Sequence, residues 1–535
     1  MSTRGGWTSA HTGALLRMIA VVAIAAVGRV LLLASGSVSF HSDEAIVGLM
    51  ARHILAGDPP TFFFGQAYMG SLDAWLVALG FWLFGESVLS IRLVQAALYL
   101  GVVASAYAAG AALLRRADAA FIVGLCFAVG TPLLTLYTAA TLGGYNETLL
   151  LGHSMIALAA GRVRLPAWRW ALIGLLTGVG WWTNALIVVY AVPVAAMLAW
   201  RAWAGRSDAL VRREFALGTA IALGGFMLGS APWWLYALQN DLAPIRFFLP
   251  EVLGSRETVG AVIPSIPWNQ RLIGLLLLGL PSAVGLRFPW AGDFFAPAVG
   301  VAVVACYAAA LLAFARGKPG DALRAQMGII VAGMFAVLCA LFLLTRFSSD
   351  PSGRYFVPLT LPLALLLANW VTRLPRAAGL VIVALVIGYH AAGQVVAARA
   401  QPGFTTQFVA QTHLPNDDDH ALIAWMDARG LRHGYTTYWV SFRIAFLSGE
   451  RIRMSAALPD KSDLAYTPAF ERYPPYREAT DASAEIAYIT ANVPELDAAL
   501  EAWFAQSGAT YSVAQVGTYR VYHDFAPAPP RPPLR

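Results

Sequence analysis

The chain has 535 residues, 58% of them hydrophobic and 13% charged, and its mean hydropathy of +0.61 excludes an ordinary soluble globule. Lys+Arg total 37 against 30 for Asp+Glu, a net charge of +7, but the arginines fall in short loops between apolar runs, where they mark membrane topology rather than a nucleic-acid surface. The three cysteines, Cys126, Cys306 and Cys339, lie inside apolar stretches, positions for packing rather than for a disulfide or metal cluster.

In chain order, the first apolar run, 14–34, follows Arg4 and Arg17 and exceeds a signal-peptide core of about 7–15 residues, which predicts an uncleaved anchor. Just beyond it stands Ser39-Phe40-His41-Ser42-Asp43-Glu44, followed by apolar residues at Ile46, Leu49, Met50 and Ile54 and a stop at Gly57-Asp58-Pro59-Pro60. This period predicts a short amphipathic helix lying at the bilayer surface, with Ser42 as its N-cap and two carboxylates in its first turn. Desolvation there tunes a general base; the same two residues also serve as first-turn acids that satisfy free N–H groups and the helix dipole.

Apolar stretches of spanning length follow, giving eleven in all: 14–35, 87–114, 119–137, 147–161, 169–183, 184–200, 214–238, 294–315, 325–345, 355–372 and 377–397. Two shorter runs, 68–85 and 271–285, decide the sidedness of every later loop. The basic groups Arg115-Arg116, Arg162/Arg164/Arg169, Arg201/Arg206/Arg212/Arg213, Arg316/Lys318/Arg324 and Arg373/Arg376 share one face only if neither run spans. The N-terminus is then cytoplasmic, and the Asp43 segment, 137–147, 182–184, 239–293, 346–355 and everything after residue 398 face outside. From 398 the chain alternates helix and strand: helix near 417–430, strand Gly434–Val440, helix after Ser441, strands Arg451–Ser455 and Glu485–Thr490, helix Pro494–Gln506, and closing strands through Tyr511–Phe525. The expected architecture is a polytopic α-helical membrane domain (1–397), a small extra-membrane α/β domain (398–525) and a Pro-rich disordered tail (526–535). There is no internal repeat, P-loop or GxGxxG after a strand.

Three outer loops gather polar chemistry: His41, Asp43 and Glu44 with Gln66 and Tyr68; Tyr145, Asn146 and Glu147; and Arg354 with Tyr355. Transfer from a lipid phosphate needs a carboxylate base for the acceptor and guanidinium or hydroxyl groups for the departing phosphate, and all are present. Each also has a structural role open to it: Glu147 as a helix-start acid, Arg354 and Tyr355 as interfacial anchors.

The acidic pair after the first span, the run Phe81-Trp82-Leu83-Phe84-Gly85 before Ile91-Arg92-Leu93, and Arg354-Tyr355-x-x-Pro358 opening a late helix together resemble the GT-C glycosyltransferases. The nearest branch is that of protein O-mannosyltransferases and the lipid A aminoarabinose transferase, and the resemblance covers residues 10–400. It implies Asp43 as catalytic base with Glu44 beside it, Glu147 as an acid near the acceptor or a metal, and Arg354 and Tyr355 on the carrier phosphate. It also implies a polyprenyl-phosphate sugar donor, a lipid, glycan or protein acceptor, an inner-membrane location, inversion by direct displacement, and a divalent metal, if one is used, between Asp43 and Glu147. One departure stands out: where relatives often carry Lys-Pro-Pro or His-Pro-Pro, this chain reads Gln66-Ala67-Tyr68-Met69-Gly70-Ser71 and lacks a phosphate-binding lysine. The competing reading is a transporter or flippase for a lipid-linked glycan, which fits less well because the acids cluster at one face and no inverted repeat is visible.

Overall fold

The structure is a computed structural model that describes residues 4–161, 164–248, 266–317 and 322–527. Arg162, Lys318, part of the predicted 239–293 loop and most of the Pro-rich end lie outside the described residues.

Every one of the eleven predicted stretches is helical, but they are not equal. Among the described residues, seven helices are long and apolar enough to cross a membrane: Thr12–Ala34, Val88–Leu114, Ala185–Ala204, Pro297–Arg316, Ala322–Leu344, Arg354–Val371 and Arg376–Arg399. Two further spans are bent pairs, Ala117–Val129 with Pro132–Ala139 at 67° and Ala209–Gly229 with Ala231–Gln239 at 58°. Both breaks have a local cause. Gly130 takes a φ of 65° and Thr131 caps the new helix by accepting from Leu134 N, with Pro132 in its first turn; a proline likewise opens Ala231–Gln239. The two predicted spans that remain, Tyr145–Ala159 and Ala167–Thr183, are only 15 and 17 residues long. Neither 68–85 nor 271–285 makes a spanning helix: the first becomes a strand and the 13-residue helix Leu72–Phe84, the second is divided among three short helical pieces.

Beyond the short hairpin of β1 (Phe62–Phe63) and β2 (Gln66–Gly70), the C-terminal domain holds a five-stranded sheet in the order β4-β3-β5-β7-β6, built from β3 (His433–Thr437), β4 (Arg453–Leu458), β5 (Ile486–Thr490), β6 (Thr510–Val516) and β7 (Tyr519–Ala526). β3 pairs in parallel with both β4 and β5, and β7 and β6 complete the sheet antiparallel. A buried Arg443–Asp419 pair at 2.9 Å, extended by Tyr519, ties the helix Tyr438–Leu447 to the helix Asp419–Ala428 and to β7. The predicted strand Gly434–Val440 ends at Thr437, and a helix starts at Tyr438 instead of after Ser441. Tyr438, Phe442, Ala445 and Phe446 recur at helical spacing, and that face is buried against the segment carrying the acidic pair.

That segment is the helix α2 (Ser42–Leu55), and it does not lie open at a surface. Ile46, Leu49 and Met50 are buried between Leu72–Phe84 and Tyr438–Leu447, each contributing on the order of 1.5–3 kcal/mol. Gly48 permits the approach, since a Cβ there would meet the Phe446 ring at 2.6 Å. Ser42 is not the cap: it is the first helical residue, after His41, and its hydroxyl donates to the Tyr438 carbonyl at 2.6 Å. At the other end His53 and Arg52 hold Glu450, and Arg52 also pairs with Glu86. Glu44 is fully buried with Arg92 at 2.6 Å.

Burial pushes the Glu44 carboxyl up to about 7, against the opposing pull of Arg92. A folded-state value above the ordinary 4.5 means protonation favours the fold, so this contribution is full at low pH and is lost as pH rises through about 7. Thermal unfolding of wild type should therefore fall in stability across that window, and Glu44→Gln should flatten the profile. Parallel profiles for the two proteins would show that Glu44 does not titrate there.

Candidate active site

A cavity of about 560 Å³ opens where α2, the hairpin Phe62–Gly70, the start of Tyr145–Ala159 and the Arg354 turn meet the C-terminal domain. Six residues expected from the sequence face it: Asp43, Gln66, Tyr68, Tyr145, Arg354 and Tyr355. Six residues of the C-terminal domain that sequence reading missed join them: Thr406, Phe408, Tyr438, Trp439, Phe470 and Arg472. Local sequence gave little sign of these, because Tyr438 reads as strand and Arg472 as one more surface cation in a separate domain.

The polar groups are ordered by specific bonds. The Tyr438 hydroxyl donates to Asp43 Oδ1. Burial and the Asp43 charge both raise the Tyr438 pKa, so the phenol stays protonated and remains a donor. Arg354 pairs with Asp350 at 2.7 Å and donates to the Tyr355 hydroxyl at 2.9 Å. With its amide oxygen turned toward the cations, Gln66 accepts from the Tyr68 hydroxyl at 3.2 Å and from Arg472 Nη2 at 2.7 Å. Phe247 stacks on Tyr68 with ring centroids 4.0 Å apart.

The other four expected residues do not line this cavity. Glu44 is committed to Arg92. His41 is buried edge-on to Trp439, and its pKa is lowered to about 4 by desolvation despite Asp43, so it is neutral at ordinary pH and no proton donor there. Asn146 donates to Gln95 at 2.8 Å, and Gln95 in turn donates to Asp73 at 2.8 Å. Glu147 is buried with both carboxyl oxygens lacking a hydrogen-bond partner among the described residues, while Asp73 accepts from Thr141 as well as from Gln95. The position expected for an acceptor-side or metal-side acid is therefore occupied by a buried polar network that joins Leu72–Phe84, Val88–Leu114 and Tyr145–Ala159. Among the described residues no three His, Cys, Asp or Glu side chains converge to hold a metal ion, and Glu147 does not line the cavity that Asp43 faces.

A second cavity, about 440 Å³, lies at the end of the molecule bearing Arg115, Arg201 and Glu214. Its polar groups are already engaged: Arg115 bonds the Gly161 carbonyl, Arg201 the Ala159 carbonyl, and Glu214 the Leu165 amide.

No protein-family model matches the sequence, and no curated protein matches it. Solved structures do. The ArnT of Cupriavidus metallidurans bound to undecaprenyl phosphate superposes with a TM-score of 0.56 over 97% of this chain and 99% of that chain, at 16% identity. Its apo state gives 0.58 over 96% and 98%, also at 16% identity. The Archaeoglobus fulgidus oligosaccharyltransferase in complex with Zn and sulfate gives 0.52 at 16% identity, over 88% of this chain and 67% of that chain. Nearly end-to-end agreement at such low identity establishes the architecture: this chain has the GT-C fold of polytopic membrane proteins with a C-terminal sheet-containing domain.

The buried position of Glu147 predicts a stability difference. Glu147→Leu sets an apolar side chain against the buried polar network around Asp73 and should cost about 1–3 kcal/mol. Glu147→Gln keeps the size and polarity of the side chain and should unfold near wild type in chemical denaturation. Equal losses in the two variants would show that the polarity of this side chain does not matter for folding.

Proposed function

We propose that the chain is an inner-membrane glycosyltransferase that takes a sugar from a polyprenyl-phosphate donor and inverts its anomeric centre. One observation carries the reading: Asp43 shares a cavity with two guanidinium groups, Arg354 and Arg472, in a GT-C fold. The neighbour bound to undecaprenyl phosphate supports the donor class. Asp43 takes the proton from the acceptor hydroxyl or amine, the freed lone pair attacks the anomeric carbon, and the bond to the carrier phosphate breaks with its electron pair leaving on the phosphate. Tyr438 holds the Asp43 carboxylate in place and yields its hydrogen bond as the acceptor docks. Phe470, Trp439 and Tyr355 wall the cavity against water, which favours transfer over hydrolysis. A lipid, glycan or protein acceptor suits this chemistry. A transporter is the weaker reading, because its ionisable groups belong near the bilayer midplane, whereas this cavity lies against the C-terminal domain.

In this reading the N-terminus is cytoplasmic and the cavity and C-terminal domain face outside. Cysteines placed at the exposed positions Glu86 and Asp293 should then react with an impermeant thiol reagent added outside, and one at exposed Arg116 should not. Outside labelling at 116 would reverse the assignment of faces.

Asp43→Asn keeps the size of the side chain and can still meet the Tyr438 hydroxyl, so thermal stability should hold. Consumption of a polyprenyl-phosphate hexose, followed by chromatography, should fall by roughly 10²-fold or more. Undiminished turnover would leave Asp43 only its role in the first turn of α2.

A further inference from the structure

The cavity has two cations, and they are not in the same electrostatic state. Arg354 lies 2.7 Å from Asp350, so much of its charge is answered before any substrate arrives. Arg472 has no carboxylate partner among the described residues. Its contacts are the neutral Gln66 amide and the ring and hydroxyl of Tyr438, and its Nε–H is buried without a hydrogen-bond partner. A cation with an unmet donor facing a cavity is an expensive arrangement unless an anion completes it. Tyr68 lines the same cavity as Arg472 and Arg354, and its hydroxyl lies in the field of both cations.

Backbone geometry holds Arg472 there. Gly65 has a φ of +68°, and a Cβ on it would come within 3.0 Å of the Arg472 Cα and carbonyl oxygen, so the hairpin and the 472 segment touch through bare backbone. Phe64 stacks on Tyr473 beside this contact at 4.4 Å between ring centroids. The hairpin that lacks a cation of its own is therefore the one on which the C-terminal domain seats an arginine.

Building on the proposed function, we infer that Arg472, contributed by the C-terminal domain, is the principal cation for the donor phosphate, with Gln66 and Tyr68 orienting it and Arg354 in a supporting position. The planar guanidinium offers two parallel donors to phosphate oxygens, and these bonds strengthen as the bond to the sugar breaks and charge accumulates on the leaving group. The C-terminal domain then belongs to the active site rather than forming a separate module.

The experiment measures binding of undecaprenyl monophosphate to the full-length protein in detergent by tryptophan fluorescence, with inorganic phosphate as a competing probe. Arg472→Gln should weaken lipid-phosphate binding by roughly 10- to 100-fold. Arg472→Lys, which keeps the charge and tests the site even if the glutamine variant folds poorly, should weaken it by roughly 3- to 10-fold. Arg477→Gln, a cation elsewhere in the same domain, should bind as wild type. Displacement of the lipid by millimolar inorganic phosphate would assign the site to free phosphate and overturn the lipid-donor part of the inference. Unchanged affinity in both Arg472 variants would overturn the inference while leaving the proposed function standing. A wild type that neither binds the lipid phosphate nor consumes a polyprenyl-phosphate hexose would instead remove the proposed function itself.

Discussion

The seating of α2 is the constraint on which the rest of the structure depends. This short helix carries Asp43, and its position is fixed by packing on two sides: Leu72–Phe84 of the membrane domain and Tyr438–Leu447 of the C-terminal domain. The close approach at Gly48, the Ser42 bond to the Tyr438 carbonyl and the Arg52/His53 grip on Glu450 act at three points along its length. A helix held at three points cannot roll, so the direction in which Asp43 faces is set by tertiary contacts rather than by its own sequence. The neighbouring Glu44, one residue on, turns inward to Arg92 for the same reason.

Buried charge is handled differently in the structural and candidate functional parts. Away from the cavity, charges are paired or networked: Glu44 with Arg92, Arg443 with Asp419, Asp73 with Gln95 and Thr141, each within a hydrogen-bonded setting. Breaking such an arrangement leaves an unpaired polar group, which is why it serves rigidity. Around the cavity the satisfaction is incomplete. Asp43 has a phenol rather than a cation as its partner, and Arg472 has an amide and a phenol rather than a carboxylate. Incomplete pairing in a cavity that can admit a charged ligand is the expected electrostatic signature of a binding site.

The membrane domain shows a related economy of form. Two of its spans are broken at Gly130–Pro132 and at Ser230–Pro232, and the helices Tyr145–Ala159 and Ala167–Thr183 stop short of full spanning length. Non-helical backbone at such places must find partners within the protein. At the first break these are the Thr131 cap and the Gln394 amide, which donates to the Gly130 carbonyl at 3.1 Å, and at the second the Ser230 hydroxyl donates to the Phe226 carbonyl at 2.6 Å. The short helices leave their N- and C-terminal ends free to reach the loops around the cavity, so Tyr145, Asn184 and Leu186 line it.

The sequence by itself determined the polytopic helical class, the positions of all eleven apolar helices, the α/β character of the C-terminal domain and six of the residues around the cavity. These are legible because hydropathy and period are local properties, and because a carboxylate or arginine in a short loop between apolar segments stands out against its neighbours. It did not show that Glu44, His41, Asn146 and Glu147 turn away from the cavity, since adjacent loop residues differ only in which way the packed backbone points them. Nor did it show that Tyr438 and Arg472 meet Asp43, Gln66 and Tyr68, because these partners lie some four hundred positions apart in the chain. Nothing in the period of either segment encodes the other. Only the docking of one domain on the other, through α2 and through the bare backbone contact at Gly65, brings those side chains together.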